Sequence, residues 1–172
     1  MSEDDAAGFL NPRGYRLDKV DDAPYLWIWR KAIYEYQADR LKPLTFVMPS
    51  GVSVRPDSHF KTDMGSIPAL IQLFPNMSKD RFLLSFIFHD SCYAHGGLWV
   101  LTIAGWEFKR FTRAEADSLL ALMIKHEPCP GGVVVSRSVW LGVRIGGWVS
   151  WGKGDIRKKM DPDSPMPTLK TA

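Results

Sequence analysis

His89 and Asp90 stand side by side at the end of an apolar run, Phe82-Leu83-Leu84-Ser85-Phe86-Ile87-Phe88, and are followed by Ser91-Cys92-Tyr93. A segment this apolar belongs in a core, and two ionisable side chains at its edge are costly there unless each has a partner. Histidine beside aspartate is a pair from which a general base or a metal ligand can be built. Tyr93 follows His89 by one helical turn, so on a helix the two share a face. Asp117 lies further along, among Ala114, Leu120, Ala121 and Ile124, which read as the inward stripe of a second helix. If the two helices run antiparallel across a short hairpin, His89, Asp90, Tyr93 and Asp117 converge on one spot. The competing expectation is a cluster that only satisfies its own hydrogen bonds and fixes a loop.

The elements that must position these residues follow from local signals. Residues 24–62 read as strands: Leu26-Trp27-Ile28-Trp29 and Ile33-Tyr34-Glu35-Tyr36 are aromatic and β-branched. Leu44–Met48 and Val52-Ser53-Val54 flank the turn Pro49-Ser50-Gly51 as a hairpin. Residues 63–75 form a loop marked by Gly65, Pro68 and Pro75. A first helix is expected from Ser78 to the C-terminal glycine Gly96, and a second hairpin around Ala104-Gly105. Thr112-Arg113-Ala114-Glu115 is a capping box, which starts a second helix that runs to about His126, before Pro128 and Pro130. A third, tryptophan-rich helix is expected from about Ser136 to Trp151, with a strand over Val133–Val135 as the alternative. The predicted fold is α+β, an N-terminal antiparallel sheet packed on about three C-terminal helices. Residues 1–14 are expected as a flexible arm, 15–151 as one globular domain, and 152–172 as a basic, proline-bearing mobile tail.

Composition narrows the class. A chain of 172 residues with 45% hydrophobic content is long enough to bury a full core. A net charge of +3 with no long basic run makes nucleic acid an unlikely partner. Two cysteines far apart in sequence form no disulfide framework, and fit a reducing compartment. The start of the chain carries Glu3, Asp4 and Asp5 rather than a signal sequence. The stretch Val133–Trp151 is apolar but holds Arg137 and Arg144, so no membrane span is expected, although Gly142 and Gly146 have GxxxG spacing. His59, His95 and His126 read as surface residues. Cys92 and Cys129 are expected to lie too far apart to bridge.

Three stretches together resemble the landmarks of a small, uncharacterised phage and prophage family: Thr62-Asp63-Met64-Gly65-Ser66-Ile67-Pro68, His89-Asp90-Ser91-Cys92-Tyr93, and Arg113-Ala114-Glu115-Ala116-Asp117. The likeness covers roughly residues 43–150. It implies a phage origin, with a location in the host bacterial cytoplasm or the virion, and a shared site without an assigned reaction. It also draws Asp63, Gly65 and Ser66 towards that site. For Asp63 the alternative is an Asx turn or a cap within the loop.

The constellation His-Asp-x-Cys-Tyr with a later aspartate is similar to the active site of secretory phospholipases. That resemblance implies His89 as the base that activates water, Asp90 as a calcium ligand, Asp117 as the group orienting the histidine, and Tyr93 as a hydrogen-bond partner of Asp117. The chain lacks that family's glycine-rich calcium loop and its disulfides. Because calcium takes six to eight oxygens, Asp63 and the loop through Gly65 and Ser66 would have to supply the missing ligands. Two other readings stand beside this hydrolase of an ester or lipid. One is a metal-dependent phosphohydrolase using His59, His89, Asp90 and Asp117. The other is a non-enzymatic virion or assembly protein that docks on copies of itself or on other phage structural proteins. Trp140, Trp148 and Trp151 would then form part of its docking stripe, the alternative being that this stripe packs the third helix into the core.

Overall fold

The computed structural model describes residues 7–25, 29–62, 82–127 and 132–146. Within them the chain is α+β, with two antiparallel sheets and three helices. The strands are β1 (Gly8–Leu10), β2 (Tyr15–Tyr25), β3 (Trp29–Ala38), β4 (Thr45–Val47), β5 (Ser53–Arg55), β6 (His59–Thr62), β7 (Gly97–Thr102) and β8 (Gly105–Arg110). The helices are α1 (Leu83–His95), α2 (Arg113–Ile124) and α3 (Gly132–Gly146). One sheet has the order β1-β4-β5-β7-β8 and the other β2-β3-β6. Among the described residues no helix is long and apolar enough to cross a membrane.

Both hairpins fall where their turn residues place them. β4 and β5 pair through Phe46–Val54 across the Pro49-Ser50-Gly51 turn, where Gly51 adopts φ 79°. β7 and β8 pair from Gly97–Arg110 to Thr102–Gly105. The second hairpin does not stand apart: β7 pairs with β5 through Val54–Val100, so it completes the N-terminal sheet. Helix α1 is thus inserted into a sheet that resumes after it.

Three expectations need correction. From Gly8 onward the supposed arm is strand β1, paired with β4. The reason is Phe9, whose ring lies 5.0 Å from Phe46 and 6.1 Å from Phe88, an anchor that a polar-looking segment conceals. Helix α3 begins at Gly132, not near Ser136, and the run from Val133 to Val135 is helical rather than a strand. Val135 packs against the core there, and tertiary burial overrides the β preference of valine. His95 is half-buried, edge-on to Phe60 at 5.9 Å, and His126 is half-buried at 5.9 Å from Phe46, whereas His59 is exposed. Ser78, residues 26–28, Cys129, and the stretch with Trp148 and Trp151 lie outside the described residues.

Helix α1 is apolar nearly all round because it has apolar neighbours on two sides. Leu84, Ile87, Phe88 and Cys92 join the larger core with Tyr36, Phe46, Val54, Phe60 and Leu98 from the strands. Phe86 joins a second core, with Phe82, Leu120 and Ile124, Val139 and Val143. The start of α1 has no cap from its own N-cap residue, Phe82. Glu127, from beyond α2, accepts the Ser85 backbone N–H at 2.7 Å and the Ser85 hydroxyl at 2.6 Å instead. Burial pushes the pKa of that carboxyl above 4.5, and the two bonds from Ser85 only partly offset the shift. At the other end Gly96 closes α1 in the left-handed conformation, φ 78°. The Thr112–Glu115 capping box then starts α2 with both reciprocal bonds present.

Candidate active site

Helices α1 and α2 bring together the four residues expected to meet. The His89 Nε2–H donates to Asp117 Oδ1 at 3.0 Å, and the Tyr93 hydroxyl donates to the same oxygen at 2.8 Å. The His89 and Tyr93 rings lie 4.2 Å apart, as one helical turn on a shared face requires. Asp90 flanks the other side of the imidazole, its Oδ1 lying 3.8 Å from His89 Nδ1. Asp117 is fully buried and His89 is 7% exposed, while the Asp90 side chain is 16% exposed. The inward stripe of α2 is Ala116, Asp117, Leu119, Leu120, Met123 and Ile124. Ala114, expected within it, is exposed.

Three further residues complete the cluster. Arg144 Nη1 donates to Asp117 Oδ2 at 3.3 Å from α3. Arg113 Nε lies 3.7 Å from that oxygen, one turn before Asp117 on α2. The Thr62 hydroxyl, at the end of β6, donates to Asp90 Oδ2. Thr62 opens one of the landmarks read in the sequence and Asp90 belongs to another, so those motifs adjoin in space. Signals for all three were present. Arg113 has the i,i+4 spacing to Asp117, Arg144 is a charge in an apolar helix that needs a partner, and Thr62 heads the loop motif. Asp63, Gly65 and Ser66 lie outside the described residues.

Electrostatics assign the protons. Burial disfavours a charged His89, but hydrogen bonds to Asp117 and Asp90, and their negative charges, outweigh it and raise its pKa above 6.5. Burial likewise opposes ionisation of Asp117, yet bonds from His89, Tyr93 and Arg144 and the His89 charge pull its pKa below 3.8. Burial foremost, then Asp117, pushes the Tyr93 phenol well up, so it remains a donor. The Cys92 thiol is pushed up by burial and by the two carboxylates, which leaves it an inert core group.

The two shifts limit stability from opposite directions of pH. A raised histidine pKa contributes stability that is whole below its unfolded value and is lost as pH rises through the folded value. A depressed aspartate pKa contributes stability that is present above 3.8 and is lost as pH falls through the folded value. The pair therefore stabilises most between about pH 4 and 6.5. Nδ1 can accept a proton only once the imidazolium is lost, above that window. Any reaction using His89 as a base is expected to show an acid limb in kcat/KM with its midpoint above 6.5. A rate that stays flat down to pH 5 would contradict that role.

A calcium ion is not matched by the described residues. Asp90 offers a carboxylate whose Oδ2 already accepts the Thr62 hydroxyl. Among the described residues no group of three or more His, Cys, Asp or Glu is placed to hold a metal. His59 pairs through Nε2 with Glu35 at 2.7 Å on the three-stranded sheet, rather than standing free as a metal ligand.

No protein-family model, no curated protein and no solved structure matches the chain.

Proposed function

We propose that this chain is a phage-encoded hydrolase that cleaves an ester, with lipid esters the favoured class, using water activated by His89. The observation that carries the reading is the polarity of the imidazole. Nε2–H is anchored on Asp117 at 3.0 Å, which fixes the tautomer and leaves the Nδ1 lone pair as the proton acceptor. A water at Nδ1 would give up its proton as its oxygen attacks the ester carbonyl. Asp117 stabilises the imidazolium so formed, and that proton then passes to the departing alkoxide. Tyr93 holds Asp117 in place. Asp90 is suited to orient the water from its position beside Nδ1.

Calcium belongs to this proposal only if Asp63, Gly65 and Ser66 add oxygens to Asp90, and no step above runs through it. The test is release of acid and alcohol from carboxylic esters and from phospholipid vesicles by the full chain, with and without added calcium. His89-dependent release supports the reading. A folded protein that cleaves neither substrate class under either condition removes it.

A second reading has its own observation. On α3, Trp140, Leu141 and Ile145 are 38%, 52% and 67% exposed, an apolar surface suited to docking in a virion or assembly protein. That reading expects self-association, or presence in purified particles. A strict monomer by light scattering that is also absent from particles by mass spectrometry would exclude it.

A further inference from the structure

The Asp117 carboxylate has two differently occupied oxygens. Oδ1 accepts from His89 and Tyr93, and Oδ2 faces Arg144 at 3.3 Å and Arg113 at 3.7 Å. Asp117 is fully buried, so its charge needs compensation within the protein. If His89 alone supplied it, the pair would be balanced only while the imidazole held its proton, the state in which it cannot act as a base. Tyr93 is neutral and adds a hydrogen bond but no charge. The two guanidinium groups keep their charge whether or not His89 is protonated.

Both arginines are held in place by the fold. Val143, next to Arg144, is buried in the second core with Val139, Leu120 and Ile124. The Ser136 hydroxyl ties α3 to the Ala121 carbonyl of α2 at 2.5 Å. Arg113 Nη2 donates to the Arg144 carbonyl at 2.6 Å, in the last turn of α3, where unpaired carbonyls and the helix dipole favour a cation. Arg113 thus grips the backbone of the residue whose side chain reaches Asp117.

We infer that Arg113 and Arg144 form a two-arginine clamp that fixes the Asp117 carboxylate, in orientation and in charge, as the anchor of His89. They are positioning residues, and they give α3 a part in a site otherwise read from α1 and α2. As a statement about catalysis the inference rests on the hydrolase reading. As a statement about the anchor it does not, and the two are measured separately.

The anchor is read by NMR of the full chain: the downfield Nε2–H proton of His89, and titration of the Asp117 carboxyl carbon. In Arg144→Gln the Nε2–H signal should weaken and move upfield, and the Asp117 carboxyl should titrate at higher pH. Arg144→Lys should recover part of both, since it restores charge without the planar fork. Arg113→Gln should move both readouts in the same direction, and it supplies the measurement if Arg144→Gln does not fold. Arg137→Gln, an exposed arginine on the same helix, should leave both unchanged. On an ester substrate, Arg144→Gln should lower kcat by on the order of 100-fold through misplacement of the base, with KM little altered. Unchanged Nε2–H and Asp117 signals in Arg144→Gln and Arg113→Gln would overturn the clamp. Changed signals in a protein whose wild type cleaves no ester would uphold the clamp and overturn the hydrolase.

Discussion

His89→Ala is expected to fold as the parent does and to lose hydrolysis by about 100- to 10,000-fold, the range typical of removing a general base. The fold should survive because the alanine leaves no buried charge unpaired. Asp117 keeps the Tyr93 hydroxyl and the two arginines, and the neighbouring Phe86, Ile87 and Phe88 still fill both cores. Asp117→Asn is the companion variant. It keeps the shape of the side chain but removes the charge that stabilises the imidazolium, and an amide turned the wrong way selects the wrong tautomer. It should therefore lose activity on the scale of His89→Ala, and the double variant should fall little further, because the two residues act as one unit. Circular dichroism and thermal melting must accompany the assay. Turnover unchanged in a folded His89→Ala protein would end the base assignment, and the cluster would then be structural.

Much of this arrangement was legible in the chain, and the legible parts share a cause. Residues whose meaning is local could be read directly: Gly96 as a helix stop, Thr112 with Glu115 as a helix start, and Gly51 and Gly105 as turns. Once α1 and α2 had ends, the meeting of His89, Tyr93 and Asp117 followed from helical spacing. What stayed hidden depends on contacts distant in sequence. Nothing near Phe9 announces that its ring will sit between Phe46 and Phe88, so β1 looked like a loose arm. Pairing of β5 with β7 spans the whole of α1, and no local signal specifies it. Glu127 caps α1 from beyond the end of α2, a partner that only the packed helices supply. Arg144 was read only as an obstacle to a membrane span. The same charge in an apolar helix pointed to a buried acid, and Asp117 is that acid.

A large loss of stability is expected from a single added methyl group, in Gly97→Ala. The two adjacent glycines serve different needs. Gly96 has φ 78°, so its requirement is conformational, and alanine there is expected to cost about 1–2 kcal/mol. Gly97 begins β7 opposite Arg110, where the two strands come close. A Cβ at Gly97 would lie 2.1 Å from the Lys109 carbonyl oxygen, 2.9 Å from the Phe108 ring and 3.0 Å from the Arg110 Cα. The first and third of these are backbone atoms, which cannot rotate away as a side chain can. Overpacking typically costs about 1–3 kcal/mol where side chains can yield, so Gly97→Ala should reach or exceed the upper end of that range. For a chain of this length about 3 kcal/mol lowers Tm by roughly 6–12 °C. The damage should extend to the site, because the hairpin connects the end of α1 to the start of α2. Relief of the clash is expected to shift β8, which leads into α2, or to unwind the last turn of α1, just beyond His89. Thermal melting of Gly97→Ala and Gly96→Ala side by side provides the check, with Gly97→Ala expected to be the less stable. A Gly97→Ala protein that melts within about 2 °C of the parent, a change worth no more than about 1 kcal/mol, would show that β7 and β8 can part at little cost. The hairpin could not then be what sets the distance between His89 and Asp117.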